Sequence, residues 1–321
     1  MDQEIICFQD ERSRRINEKL RRELGELVCH YLAEPDVIEI ILNADGKLWV
    51  EILGGKMEPI GYMSASQAES LMGTIATTLR TTITRANPIL ECELPIDGSR
   101  FEALVPPVVS APVFTIRRKA SKIFTLDTYV QRGMMTAKQQ EIICEGISNR
   151  KNILIVGGTG SGKTTLTNAI IAEIVERTPE HRLIIIEDTA EIQCAAENAV
   201  VLRATDSVDM QRLLKATMRL RPDRILVGEV RGEEALSLLK AWNTGHPGGV
   251  ATVHANNAFA GLTRIEQLIA EVTQSPMQSL IAQAVDIIIA INKTAIGRQV
   301  SQILSVDSHD GANYVYTILE S

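Results

Sequence analysis

The stretch NILIVGGTGSGKTTLTNAIIAEIVER, residues 152–177, decides the fold of this chain. A short apolar run rich in Ile leads directly into a glycine-rich segment that ends in Lys-Thr-Thr, and an amphipathic helical pattern follows. Strand, glycine-rich loop and helix in this order are the signature of a P-loop. Glycines let the backbone curl, so that successive N–H groups and the positive end of the helix point at one place. The stretch therefore predicts a site for nucleotide phosphates.

The residue types in the loop have distinct expected roles. Lys163 is expected to reach the β- and γ-phosphates of ATP, and the Thr164 hydroxyl is expected to ligate Mg²⁺. The loop itself supplies the remaining contacts to the nucleotide. The predicted nucleotide-binding residues are Gly157, Gly158, Thr159, Gly160, Ser161, Gly162, Lys163, Thr164 and Thr165.

The chain around this loop divides into two patterns. Apolar runs rich in Ile and Val at 152–156, 183–187, 224–229, 250–254 and 285–291 alternate with helical patterns. Such runs are typical of parallel strands that are buried on both faces, so the second part is predicted to be an α/β domain.

The first part of the chain is predicted to be a smaller α+β domain. Residues 10–32 have helical spacing, and two apolar runs flank a turn at Asp45-Gly46, which predicts a hairpin. A second helix is predicted at 66–80, with Ser66 as its N-cap. The predicted domains are 1–118 and 137–321, joined by a linker at 119–136.

Two glutamates stand at the ends of predicted strands of the α/β domain. Glu187 lies in IIIEDTAEI (184–192), with Glu191 just beyond, and Glu229 lies in RLRPDRILVGEVRG (219–232). A carboxylate at the carboxyl end of such a strand can hold Mg²⁺ or orient an attacking water, so both glutamates are predicted metal and catalytic residues. The strand of a typical Walker B motif ends in aspartate, whereas Gly228 precedes a glutamate here. Which glutamate is the catalytic base therefore stays open.

His254 is the remaining candidate catalytic residue. It follows the run VATV, at a strand end where a sensor of the γ-phosphate would lie. Asp223 precedes its strand, at the end away from the nucleotide, and is interpreted as structural.

Composition limits the classes of partner. The chain has 321 residues, with 33 Lys and Arg against 40 Asp and Glu, and a formal net charge of -7. The excess of acidic residues and the aromatic content of 4% do not predict a basic and aromatic surface for nucleic acid. Direct DNA binding is therefore not expected, and a nucleic-acid motor is a lesser alternative. The start MDQEIICFQDERSRR is unlike a signal peptide, and no run is long enough to span a bilayer. We therefore expect a cytoplasmic protein whose membrane contact is peripheral.

Four segments together resemble one family, the secretion ATPases of type II and type IV secretion, pili and conjugation. GGTGSGKTT matches its Walker A motif, IIIEDTAEI its Asp box, RLRPDRILVGEVRG its atypical Walker B motif, and TGHPGGVATVHANNA (244–258) its His box. Within the family, the short amino-terminal domain and the linker FTLDTYVQRGMMT (124–136) are most similar to the conjugative-transfer ATPases. The pilus motor ATPases are the alternative.

The resemblance implies a RecA-like ATPase domain behind a PAS-like amino-terminal domain. It further implies a homo-hexamer that binds ATP and Mg²⁺ between the two domains. Hydrolysis would power type IV secretion in conjugative DNA transfer, or pilus assembly, with inner-membrane channel proteins as partners. A scaffold that binds ATP and barely hydrolyses it is a further alternative.

Two arginines match positions that reach the phosphates in this family. They are Arg100, in DGSRFEALVPP, and Arg117, in FTIRRK. From the residues alone, a solvated surface charge is the alternative for each.

Overall fold

The computed structural model describes residues 2–52, 55–118, 124–205, 207–294 and 297–320. The chain forms two compact units, Met1–Lys122 and Ile123–Ser321. Of the predicted linker at 119–136, residues 119–123 lie outside the described residues. The rest of it belongs to the second unit and includes a short capped helix, in which Leu126 and Tyr129 are buried. Most of the predicted linker is therefore part of a folded unit.

The amino-terminal unit is a sheet covered by helices. Its elements are α1 (Asp2–Ala33), β1 (Val37–Leu42), β2 (Lys47–Ile52), β3 (Met57–Tyr62), α2 (Ala65–Thr78), β4 (Ile89–Glu93), β5 (Arg100–Leu104) and β6 (Val113–Arg117). The strand order is β3-β2-β1-β6-β5-β4, and neighbouring strands are antiparallel.

Local sequence explains the first turns of this unit. The predicted hairpin is present as β1 and β2, and Gly46 at its turn has φ +80°, a conformation that glycine adopts without strain. The Asp45 carboxylate accepts a hydrogen bond from the Lys47 N–H at 3.0 Å and so stabilises the turn. The N-cap of α2 is Ser64, whose hydroxyl accepts from the Gln67 N–H, and not the predicted Ser66.

The second unit contains the P-loop. Its elements are α3 (Leu126–Gln131), α4 (Ala137–Ser148), β7 (Ile153–Val156), α5 (Lys163–Arg177), β8 (Leu183–Glu187), β9 (Ala199–Arg203), α6 (Met210–Thr217), β10 (Arg224–Val227), α7 (Glu234–Asn243), β11 (Val250–Val253), α8 (Ala258–Ala270), α9 (Gln278–Ala284), β12 (Ile287–Thr294), β13 (Gly297–His309) and β14 (Tyr314–Glu320). The sheet order is β14-β13-β12-β7-β11-β10-β8-β9. Strands β12 to β9 in this order are parallel, and β13 and β14 are added antiparallel at one edge.

Helices bury both faces of this sheet, as the continuous apolar runs predict. Along β7, Leu154 and Val156 belong to a core shared with residues of α7, α8 and α9, whereas Ile153 and Ile155 belong to a core shared with residues of α3, α4 and α5. The P-loop strand is thus fixed from both sides.

The parallel strands end together at one edge. Val156 pairs with Val253, and Val227 pairs with both Ala251 and Ile186. The segments that follow β7, β8, β10 and β11 therefore leave the sheet side by side. These segments carry the P-loop, Glu191, Glu229 and His254.

A fully buried arginine organises the opposite edge. Arg224, at the start of β10, donates hydrogen bonds of 3.0 Å each to the carbonyls of Gly248 and Ile147 and to Nδ1 of His181. Burial and, to a smaller extent, the charge of Arg150 together lower its pKa to about 10. A Cβ on Gly248 would lie 2.4 Å from the guanidinium, so this close approach requires glycine.

The TGHPGG part of the His box therefore lies at the edge away from His254. Strand β11 separates the two parts of the motif. Within this loop, Gly248 contacts Arg224, which is a structural contact.

Candidate functional site

The P-loop has the tight backbone that its glycines predict. Gly160 and Gly162 have φ of +69° and +98°, and Gly162 is the N-cap of α5. A Cβ on Gly157 would lie 2.3 Å from the carbonyl oxygen of Ile291 and 2.4 Å from Oγ of Ser161. The loop therefore packs against β12 as closely as backbone allows. Thr159 and Gly160, at its tip, are exposed.

Lys163 lies inside the loop rather than on its surface. Its ammonium donates hydrogen bonds to the carbonyls of Gly157 at 3.0 Å and Gly158 at 3.2 Å, and lies 3.3 Å from Nδ1 of His254. The residue is only 8% exposed. The reason is that the side chain folds back onto its own loop.

Glu229 and His254 are brought together beside Lys163. Nε2 of His254 lies 2.7 Å from Oε1 of Glu229. Burial lowers the pKa of His254, and the Lys163 ammonium lowers it further, while Glu229 acts in the opposite direction. The ring is therefore mainly neutral at pH 7.

The Glu229 carboxylate has a neighbour at each oxygen. Oε2 accepts from Nε of Arg231 at 2.8 Å, and the buried Oε1 faces Nε2 of His254. Because Nδ1 of His254 faces the Lys163 ammonium, the proton of the neutral ring is expected at Nε2, toward Oε1. A carboxylate oxygen has two lone-pair sites, so Oε1 can also accept a hydrogen bond from a water molecule.

Glu187 has a different environment. It is 2% exposed, and its Oε2 accepts hydrogen bonds of 3.0 Å from the N–H groups of Glu191 and Ile192. Its Oε1 lies 3.5 Å from Arg203. Burial raises the pKa of Glu187, against the effect of the two backbone donors. Oε2 thus stabilises the turn after β8, and Oε1 pairs with the end of β9.

The carboxylate that meets the P-loop threonine is Glu191. Thr164 Oγ1 donates to Glu191 Oε2 at 2.9 Å. Asn168, one helical turn further along α5, donates to the Glu191 carbonyl at 3.2 Å and accepts from the Gln193 N–H at 3.0 Å. The spacing of Thr164 and Asn168 places them on one face of a helix, but nothing in the sequence indicates which segment they bind.

Arg298 also lies at the site, although the sequence did not predict it there. It lies at the start of β13, and its Nε donates to the Gly160 carbonyl at 3.0 Å. A Cβ on Gly162 would lie 2.9 Å from its Cδ, so its stem covers the loop. No local motif marks this residue, since it contacts the P-loop only through the pairing of β13 with β12.

Comparison with known proteins identifies the family of this chain. The family described as "Type II/IV secretion system protein" matches residues 24–300. The probable conjugal transfer protein TrbB of Sinorhizobium fredii is 55% identical over 94% of this chain and 92% of its own length. The conjugal transfer protein TrbB of Rhizobium radiobacter is 53% identical over 94% of this chain and 93% of its own length. This chain belongs to the family of type II and type IV secretion ATPases.

The fold of this secretion ATPase also matches a solved structure. The ATPase DotB of Legionella pneumophila superposes with a TM-score of 0.62 at 19% identity, and the match covers 91% of this chain and 80% of DotB. At this identity the likeness concerns the fold alone. The predicted family and the predicted fold class are both confirmed.

The two predicted arginines of the secretion ATPase lie in the amino-terminal unit as a cross-strand pair. Arg100 on β5 is directly opposite Arg117 on β6, Glu93 is opposite Arg100, and Glu39 is opposite Arg117. Nε of Arg117 lies 3.9 Å from Oε1 of Glu39. Like charges directly opposite each other repel, and the two acids at the ends of this row offset that repulsion. The arrangement concentrates two guanidinium groups on one face of the sheet.

Two observations bear on metal and membrane contact. Over the ranges that the structure describes, no three His, Cys, Asp or Glu side chains form a cluster that could hold a metal by themselves. Each of the described helices is too short or too polar to cross a bilayer.

Proposed function

We propose that this secretion ATPase is a homo-hexamer that hydrolyses ATP, with Mg²⁺, to power type IV secretion in conjugative DNA transfer. The observation that carries the proposal is the contact series from Lys163 to His254 to Glu229 at the mouth of the P-loop. The 55% identity to TrbB over 94% of the chain supports conjugation over the pilus alternative.

The P-loop would bind the phosphates through its backbone. The N–H groups of the loop and of the first turn of α5 carry partial positive charge, which favours an anion at the N-terminus of the helix. Lys163 would exchange its bonds with the Gly157 and Gly158 carbonyls for bonds with the β- and γ-phosphate oxygens. The lysine therefore already lies at the position from which it would act.

Mg²⁺ fits this donor set. The ion commonly uses one or two protein oxygens together with substrate phosphates and water. Thr164 and Glu191, which are joined at 2.9 Å, are the pair that would hold it, in place of the Glu187 of the sequence analysis. Glu229 stays a proposed contributor. Bound there, Mg²⁺ would neutralise charge on the phosphate oxygens.

Glu229 would be the general base. Its Oε1 would accept the hydrogen bond of the water that attacks the γ-phosphate in line, and then its proton. The neutral His254 lies between Glu229 and Lys163 and would keep a fixed distance between the base and the phosphate-binding lysine. Because Lys163 would bind the γ-phosphate, His254 would respond to that phosphate through Lys163.

The proposed partners and location follow from family membership. We propose that the hexamer binds inner-membrane channel proteins of the secretion system at the cytoplasmic face of the inner membrane. The net charge of -7 supports protein partners over direct DNA binding.

Turnover measurements test this function. Purified protein is expected to release phosphate from ATP when Mg²⁺ is present and to lose that activity in excess EDTA. Added single- or double-stranded DNA is expected to leave the rate unchanged. Activity that rises with DNA and falls steeply with salt would instead indicate a nucleic-acid motor.

The two arginines of the amino-terminal unit give a prediction of their own. Arg100→Ala or Arg117→Ala should lower ATP turnover by about 100-fold, the usual effect of losing one donor to transition-state charge. ADP affinity should stay the same, because a residue that acts on the γ-phosphate contributes nothing to a nucleotide that lacks it. The measurements are phosphate release and ADP titration.

Glu39→Gln is the matched control for this pair. It removes the ion pair of Arg117 with Glu39 but keeps both arginines, so it should leave turnover nearly unchanged. Wild-type turnover in both alanine variants would assign Arg100 and Arg117 to the solvated surface.

A further inference from the structure

Arg231 connects the segments that follow β8 and β10. Its Nε donates to Oε2 of Glu229 at 2.8 Å, and its NH2 group donates to the same oxygen. Its NH1 group donates to Oδ2 of Asp188 at 2.6 Å. One guanidinium thus holds a carboxylate from the Asp box and the carboxylate of the Walker B motif.

The backbone beneath Arg231 is itself fixed. Oε1 of Glu234 accepts hydrogen bonds from the N–H groups of Arg231 at 2.6 Å and Gly232 at 3.0 Å. Glu234 is only 8% exposed, so this anchor is shielded from water. The Arg231 side chain, which is 53% exposed, extends from a rigid turn toward the two carboxylates.

The two oxygens of Glu229 therefore have separate environments. Oε2 is occupied by Arg231, whereas Oε1 is buried, lies 2.7 Å from Nε2 of His254 and keeps a second lone-pair site for a water molecule. A carboxylate held by one oxygen cannot rotate freely, so the other oxygen keeps one direction. A base must be held to within about 0.5 Å of its productive position to act efficiently.

We propose that Arg231 is a positioning residue that holds Oε1 of Glu229 toward the attacking water by bridging Glu229 to Asp188. The proposal rests on the proposed function, in which Glu229 is the base. Arginine suits this task because its planar fork can bond two carboxylates at once, whereas a lysine ammonium is a point charge on a flexible stem.

A direct contact between Arg231 and the phosphates would have a different signature. A phosphate ligand contributes to ATP affinity, so its loss would weaken binding together with turnover. A residue that acts only through Glu229 changes kcat and leaves affinity unaltered. Its effect also disappears once Glu229 can no longer act as a base.

The experiment uses the full chain and measures kcat for phosphate release and the affinity for ATP. Arg231→Ala is expected to lower kcat by about 10- to 100-fold, as outer-shell partners of a functional group commonly do, with ATP affinity unchanged. Arg231→Lys should restore part of the lost rate. Added to Glu229→Gln, Arg231→Ala should cause no further decrease. Arg212→Ala, at an exposed arginine on α6 of the same unit, is the control and should keep wild-type kinetics.

Asp188→Asn provides an independent test that does not remove the arginine. It weakens the other end of the bridge at constant volume and should lower kcat by about 10-fold, again without loss of affinity. Parallel losses of kcat and ATP affinity in Arg231→Ala would overturn the proposal, as would a full additional loss in the Glu229→Gln background.

The outcomes separate this inference from the proposed function. Wild-type kcat in Arg231→Ala, together with an inactive Glu229→Gln, would remove only the role of Arg231. Wild-type turnover in Glu229→Gln would remove both the proposed base and its positioning residue.

Discussion

Replacing Lys163 with alanine should lower ATP hydrolysis by about 1,000-fold, at the upper end of what one electrostatic contact to the transition state contributes. The Lys163 ammonium already lies against the Gly157 and Gly158 carbonyls, so the variant removes the cation from the place where the β- and γ-phosphates would bind. Some nucleotide binding should remain, because the loop N–H groups and the end of α5 are unchanged. Phosphate release and nucleotide titration measure the two effects.

Burial of Lys163 makes a stability control necessary. At 8% exposure, truncation removes side-chain packing as well as charge, so thermal unfolding should be recorded beside activity. Lys163→Met keeps most of the volume without the ammonium and should be equally inactive. Lys138→Ala, at an exposed lysine on α4 whose Nζ pairs with Glu141 at 2.8 Å, should behave as wild type. A rate for Lys163→Ala close to that of wild type would contradict the proposed site.

Glu229→Gln should lower turnover by about 1,000-fold and keep ATP binding, because general-base catalysis contributes about 100- to 10,000-fold. The amide has the volume of the carboxylate and can still accept from Arg231 and hydrogen-bond a water, but it cannot take up the water's proton. Measuring ATP affinity beside kcat distinguishes lost chemistry from lost binding.

Glu187→Gln is the informative comparison, since both glutamates were candidates. The amide oxygen can still accept from the Glu191 and Ile192 N–H groups, so we expect turnover within about 10-fold of wild type and a modest loss of stability. An inactive Glu187→Gln beside an active Glu229→Gln would reverse the assignment of the base.

The features that the sequence could predict are those that short stretches of chain determine. The P-loop, the strand before it and the helix after it are set by short-range patterns, and the apolar runs predict a sheet buried on both faces. Glu229 and His254 could be assigned to one edge because parallel strands end together.

What the sequence could not predict depends on distant contacts or on single hydrogen bonds. The contact of Thr164 with Glu191 requires the turn after β8, and the contact of Arg298 with Gly160 requires the pairing of β13 with β12. Neither leaves a periodic signal. The N-cap of α2 is Ser64 and not the predicted Ser66. Both serines are candidate caps of the same helix end, and local geometry decides between them.

Strand β11 is held at both of its ends by groups that belong to different parts of the unit. Before it, the Gly248 carbonyl accepts from the buried Arg224, and a Cβ on Gly249 would lie 2.0 Å from Trp242 Nε1. After it, His254 lies against Lys163 and Glu229. At about 3.3 Å per residue the strand is roughly 10 Å long, and it cannot shift along its axis without breaking contacts at one end. A substitution at Arg224 or Gly248 is therefore expected to shift the position of His254, because one short segment of backbone joins the two edges of the sheet.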